Sequence, residues 1–214
     1  WERDRGRGEA KALFEPLLAW HRWFMEWRCA DGAIFVTHPW EAGRDNAPDW
    51  DGAMAAIEPT GVHPYTRRDT AHVDASMRPT KADYDRYIWL VERGRRLGWD
   101  EAGMAEGAPF RVADPGMTFI LLGGCRDLAA LGRGLGRDVA EIEAWAAALE
   151  QGAARLWNPA IGAYDGRDLA TGDFAGALTN ASYLCWLGGI DDERMLAKFD
   201  GMLGRVRYPV PSLD

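Results

Sequence analysis

Apolar residues recur at helical spacing along most of this chain, and that period restricts the fold more than any other feature. Between Glu9 and Ala30, Leu13, Leu17, Trp20, Phe24 and Trp27 stand four, three, four and three residues apart. One stripe of an α-helix gives that pattern, whereas a half-buried strand would alternate every second residue. Pro16 predicts a kink or a true start near Glu15, because its ring removes a backbone donor. Asp31-Gly32 stops the helix, and the run Ala33-Ile34-Phe35-Val36 leads into His38-Pro39-Trp40. A short helical stretch is expected around Trp50 to Ile57. Glu58 to Pro79 shows little periodicity and holds three prolines; loops of that length in a compact domain are usually functional or disordered.

Helix starts are legible further along. Thr80-Lys81-Ala82-Asp83 reads as a capping box opening a helix to about Gly98. Asp114-Pro115 places an Asp cap before a proline at the first helical position. The helix behind it is apolar nearly all round over Phe119 to Leu122 and ends at glycines 132 to 136, which fits a buried inner helix. Asp138 to Glu141 is a second capping box, for a helix striped with Ile142, Trp145, Leu149 and Leu156. Asn158 to Asp173 reads as loop with a single strand at Ala163-Tyr164, and two last helices are expected at about Ala175 to Leu187 and Asp192 to Leu203. The expectation is an all-α chain of six or seven helices with no strand longer than four residues. Alternating short and long connections are what an α/α toroid shows, with the long loops building a site on one rim. A plain bundle or solenoid gives the same periodicity.

Composition narrows the partners. The 25 Lys+Arg and 33 Asp+Glu leave a formal charge of −8 with no basic cluster, so neither a nucleic-acid backbone nor an anionic membrane surface finds its electrostatic footprint. No window approaches the roughly 18 apolar residues of a membrane span, and Trp1-Glu2-Arg3-Asp4-Arg5 is too charged for a signal peptide. Cys29, Cys125 and Cys185 are far apart and odd in number, so a reducing compartment, the cytoplasm, is the simpler expectation. Tryptophan is abundant, 11 residues, and indoles either pack cores or form flat platforms for sugar rings. The helical stripes assign Trp20, Trp27 and Trp145 to packing, and Trp40 and Trp50, in the polar segment described next, are the candidate platforms.

The densest polar segment is His38-Pro39-Trp40-Glu41-Ala42-Gly43-Arg44-Asp45-Asn46-Ala47-Pro48-Asp49-Trp50-Asp51. Four carboxylates, an arginine and an asparagine lie between and beside two tryptophans. Glycoside hydrolysis uses such a set: a carboxylic acid protonates the departing oxygen while aromatic faces hold the ring. A helix start with exposed acids after a proline-rich turn accounts for the same residues. Histidines 38, 63 and 72 with Asp69 lack the spacing of a metal site. Gly132 to Gly136 and Asp191-Asp192-Glu193 fit a helix end and a helix cap better than phosphate or metal binding.

This segment resembles the HPWESGMDNSPRWD block of mannosylglycerate and glucosylglycerate hydrolases, relatives of glycoside hydrolase family 63. The likeness continues through Arg67 to Val73, Arg78 to Tyr87, Val112 to Pro115, Tyr164-Asp165 and Tyr208 to Ser212, in family order. The resemblance implies an (α/α)6 barrel, partial here, with residues 1–214 as about half of one catalytic domain. It implies an inverting hydrolase of small α-linked sugar compounds that needs no cofactor and no metal. The family's general acid corresponds to Asp45. Trp40, Glu41, Gly43 and Asn46 match the glycosyl subsite, and Arg78 and Tyr84 match positions holding the glycerate-like portion. An arginine fork suits a carboxylate, although Arg78 could equally cap a helix end or pair with Asp83.

Two departures stand out. Ala42 and Ala47 replace the usual serines, removing two hydroxyls beside the acid. An inverting enzyme also needs a general base roughly 6.5–9.5 Å from the acid, in this family a glutamate from the last third of the barrel. Glu106, Glu141, Glu143, Glu150 and Glu193 all read as surface helix residues, so the base is expected beyond residue 214. Two other functions stay open: a sugar-binding module that keeps the aromatic groove without hydrolysis, and an α/α-barrel isomerase with His38 or His72 beside Asp45.

Overall fold

A computed structural model describes residues 6–68, 74, 78–203 and 205. The chain runs α1 (Gly6–Trp27), β1 (Cys29–Ala30), β2 (Ala33–Val36), α2 (Asp51–Ala55), α3 (Lys81–Arg96) and α4 (Glu101–Ala105). It continues through β3 (Val112–Ala113), α5 (Pro115–Gly134), α6 (Ala140–Ala154), β4 (Trp157–Asn158), β5 (Ala163–Tyr164), β6 (Arg167–Asp168), α7 (Asn180–Tyr183) and α8 (Glu193–Met202). The chain is mostly helical, as the periodicity predicts.

Helix α5 is the inner helix. Its cap Asp114 accepts the N–H groups of Gly116 at 3.1 Å and Met117 at 3.3 Å, satisfying donors that a helix start leaves open. Phe119, Leu121, Leu122, Cys125, Leu128 and Ala129 are buried on it, and α1, α6, α7 and β2 pack around it. Each such side chain removed from water stabilises the fold by about 1.5–3 kcal/mol for the larger ones. The closest approach is between α6 and the β1–β2 turn: a Cβ on Gly152 would stand 2.0 Å from the Gly32 carbonyl group.

Helix α1 buries a row that keeps Phe24 of the one the spacing predicts but not its first three members. Phe14, Leu18 and His21 face the core, while Leu13, Leu17 and Trp20 are 48%, 39% and 47% exposed. Two adjacent rows are apolar here, and period alone cannot choose between them; contact with α5 does. Helix α1 also runs through Pro16 without a break. Pro16 is exposed, so the Ala12 carbonyl it leaves without an N–H partner is open to water.

The strands are what helical period gave no sign of. Strands β1 and β2 form a hairpin across Asp31 and Gly32, both left-handed at φ 50° and 76°, the backbone of a tight hairpin turn. Antiparallel pairing extends the sheet in the order β1-β2-β3-β6. Ala163-Tyr164 is a strand as expected, paired with Trp157-Asn158.

Other expectations shift. Only Asn180–Tyr183 is helical within the expected 175–187 helix. The donors ahead of it are spent elsewhere: Ala175 N–H on the Gly166 carbonyl at 2.9 Å and Gly176 N–H on Asp165 at 2.7 Å. Asp138 accepts the Ala140 N–H, but Glu141 turns away to Arg22 instead of closing a capping box. Thr80 caps α3 through Asp83 N–H, Asp192 caps α8, and α5 ends at Gly134, all as the caps predict. Helix α4, capped by Asp100, was missed although an Asp before a glutamate could have marked it.

Candidate active site

Strand β2 delivers the chain to Thr37 and His38, which start a 3₁₀ turn over Pro39–Ala42. The His38 Nδ1 accepts the Trp40 N–H at 3.0 Å, so the proton lies on Nε2, which donates to the Tyr87 carbonyl at 3.0 Å. Burial pushes the His38 pKa down and keeps the ring neutral. With both nitrogens engaged, His38 is a strut to α3, and the isomerase reading loses its described histidine; His72 and Asp69 lie outside the described residues. Gly43 closes the turn in a left-handed conformation, φ 66°, donating its N–H to the Trp40 carbonyl. That conformation is the reason for glycine at this position.

The next four residues form a tight turn. Ala47 N–H bonds the Arg44 carbonyl at 3.1 Å, which puts Asp45 and Asn46 at the two corners. Trp50 donates its indole N–H to the same carbonyl at 2.6 Å, and the Tyr87 hydroxyl donates to the Asp45 carbonyl at 2.6 Å. The Asp45 and Asn46 side chains stand at a partly exposed tip.

Beneath the tip lies a charged cluster. The Arg44 guanidinium reaches Asp49 at 2.8 Å and Asp114 at 2.7 Å and sits 4.8 Å from the Trp50 ring centre. Thr179 donates to the other Asp49 oxygen at 3.2 Å. Burial drives the Asp114 carboxyl upward against the pull of Arg44, while the two carboxylates outweigh burial and raise the guanidinium. Asp114 therefore both caps α5 and holds Arg44. The sequence showed only the first role, because the second depends on residues 70 positions away.

An aromatic wall rises on one side. Trp40 is 39% exposed, with ring centres of His38 at 4.5 Å, Tyr87 at 5.9 Å and Tyr84 at 6.3 Å. Tyr84 is covered in turn by Tyr65, stacked at 5.5 Å, and by the Arg67 guanidinium at 4.5 Å. The long loop thus folds onto the start of α3, next to the site. Asn46, Asp51, Arg78, Asp83, Arg86 and Tyr87 line a cleft of about 470 Å³, which shares Tyr87 with the aromatic wall. Asp83 pairs with Arg86 at 2.9 Å.

Two expectations about single residues change. Trp50 is 1% exposed and packs with Phe110 at 6.0 Å, so it belongs to the core and offers no platform. The Glu41 carboxylate is occupied within the protein: it accepts Thr37 N–H at 2.7 Å, the Thr37 hydroxyl at 3.1 Å and Arg28 at 3.3 Å. Arg28 is itself buried beside Trp23 and paired with Glu101. Asp165 was noted only as part of a block; it is buried, accepts Asn158 and Gly176, and braces the loop before α7.

Chemically, the turn carries a carboxyl group and an amide, the cleft a guanidinium, and Trp40 an exposed indole. Glu106, Glu141, Glu143, Glu150 and Glu193 are exposed, as expected. No group of three or more potential metal ligands is found among the described residues, and none of their helices is long and apolar enough to cross a membrane.

The chain is 39% identical to a mannosylglycerate hydrolase of Thermus thermophilus, covering 100% of this chain and 53% of that protein. It is 41% identical to the mannosylglycerate hydrolase MGH1 of Selaginella moellendorffii, over 96% of this chain and 44% of the relative. A crystal structure of a family 63 mannosylglycerate hydrolase from Thermus thermophilus, in complex with Tris and D-glycerate, superposes with a TM-score of 0.93 at 38% identity. That match covers 99% of this chain and 53% of the other. The chain thus spans about half the length of the curated relatives it matches. Residues 1–214 match throughout the mannosylglycerate hydrolase MGH1-like glycoside hydrolase domain, and the chain belongs to that family.

Proposed function

We propose that these residues form about half of an (α/α)6 catalytic barrel whose full-length protein hydrolyses a small α-linked glycoside, a mannosyl- or glucosylglycerate, with inversion. The observation that carries this reading is Asp45 at the corner of a braced turn, next to Asn46 of the cleft that also holds Arg78, and joined through Tyr87 to the exposed Trp40. Asp45 gives its proton to the glycosidic oxygen as the bond to the sugar breaks, and water attacks the opposite face of the ring. Trp40 stacks on the glycosyl unit, Asn46 bonds its hydroxyls, and Gly43 lets the backbone run close to it. Arg78 and Tyr84 take the carboxylate-bearing portion. Glu41 serves the site by fixing the Trp40 loop to Arg28 and Thr37. The general base is supplied from outside these residues, and free Cys29, Cys125 and Cys185 fit a cytoplasmic protein.

In the full-length protein, Asp45→Asn should lower kcat on its glycosylglycerate by about 10²–10⁴ while substrate still binds. Steady-state kinetics with calorimetric binding measures both, and near-normal turnover would remove Asp45 as the acid. Binding by the full-length wild type without any sugar release would instead favour a non-catalytic sugar-binding module.

A further inference from the structure

Resting on the reading of Asp45 as proton donor, we propose that Arg44 and Tyr87 are positioning residues that hold the Asp45 turn from either side. A general acid works only within hydrogen-bond reach of the departing oxygen, and a misplacement of about 1 Å can cost about a hundredfold in rate. The turn itself supplies one backbone bond, Ala47 N–H to the Arg44 carbonyl, too little to fix a carboxyl at a partly exposed tip.

Two anchors outside the turn do so. On the near side, the Arg44 side chain is 13% exposed and its two carboxylate partners 1% each. Its fork spans Asp49 and Asp114, and Asp114 is the cap of α5, so the turn is pegged to the central helix of the fold. The Trp50 indole holds the Arg44 carbonyl as well. On the far side, the Tyr87 hydroxyl from α3 holds the Asp45 carbonyl at 2.6 Å. The peptide group before the Asp45 Cα is held by the Trp50 indole and the one after it by Tyr87 of α3, while the Arg44 side chain ties the turn to the cap of α5, and together these fix the direction of the Asp45 side chain. Lysine could not replace Arg44, since one ammonium group cannot bridge two carboxylates and stack on an indole with the same geometry. The Arg44 fork and the Tyr87 hydroxyl are both spent on protein partners, two carboxylates and the Asp45 carbonyl.

The test uses the full-length protein with Arg44→Lys, Tyr87→Phe and, alongside, Asp45→Asn. Each is assayed on the glycosylglycerate and on the matching glycosyl fluoride, whose departure does not depend on a proton donor. Thermal unfolding confirms that each variant is folded. Arg44→Lys and Tyr87→Phe should lose at least about tenfold in kcat on the glycoside with KM within about twofold, yet less than about threefold on the fluoride. Unchanged kcat in both folded variants, or equal loss on both substrates, while Asp45→Asn shows the selective loss, would overturn the positioning role and leave Asp45 as the acid. Absence of selective loss in Asp45→Asn would remove the reading of Asp45 and this inference with it. If Arg44→Lys does not fold, Tyr87→Phe, which removes a single oxygen atom, decides alone.

Discussion

Gly152 has no room for a methyl group, since a Cβ there would meet the Gly32 carbonyl at 2.0 Å and the Ala33 nitrogen at 2.6 Å. Backbone cannot swing aside as the end of a long side chain can. Gly152→Ala should cost about 1–3 kcal/mol or more, measured by urea unfolding of the 214-residue chain; an unchanged midpoint would mean the helix and the hairpin can move apart. Nothing in the sequence marks this glycine, because its reason lies in a hairpin 120 residues earlier. The same distance effect separates Trp40 from Trp50. Both stand in one polar segment, and only the core around Phe110 and Tyr87 shows that Trp50 is packing. By contrast, the caps at Thr80, Asp114 and Asp192 were readable, since a cap acts on donors two or three residues away.

At the scale of elements, α1 separates period from phase. Spacing gave the helix but, Phe24 aside, not the row that faces the core, so the two rows make a direct comparison. Phe14→Ala should destabilise the chain by about 3–5 kcal/mol, whereas Leu17→Gln should change stability by no more than about 0.5 kcal/mol. Chemical denaturation reads both, and a reversed order would restore the row predicted from spacing. Helix α8 supplies a dependence on pH. The Asp192 carboxylate takes hydrogen bonds from Arg194 at 2.6 Å and Tyr164 at 2.9 Å. The Arg194 bonds chiefly hold its pKa down, from 3.8 to about 2. A group depressed in the folded state contributes stability above its unfolded value and loses it as pH falls through the folded one. Stability should therefore decline between about pH 4 and pH 2, and Asp192→Asn should flatten that part of the profile and lower stability at neutral pH. A thermal melt series settles it: an unaltered slope in the variant would assign the decline to other carboxylates.

Taken whole, the described residues leave several large apolar side chains open to water: Leu13, Leu17 and Trp20 on α1, Leu187 after α7, and Leu196 on α8, the last at 48% exposure. Such exposure fits a surface covered by the remainder of a longer protein, as the coverage of about half of each relative implies. The 214 residues alone should accordingly release no sugar from a glycosylglycerate, while the full-length protein does; release by the isolated chain in a reducing-sugar assay would refute the half-site reading. Most helices and caps were legible because each rests on local spacing, and the block around Asp45 because it matches the family in register. The sheet, the phase of α1 and the Arg44 cluster were not, because each is settled by residues far apart in the chain. That separation also bears on synthesis. Thr179 lies 135 positions after Arg44, and at roughly 5–20 residues per second it leaves the ribosome about 7–27 s later. During that interval the Asp49 carboxylate lacks its Thr179 hydroxyl, so the floor beneath the Asp45 turn is completed only late in the synthesis of these residues.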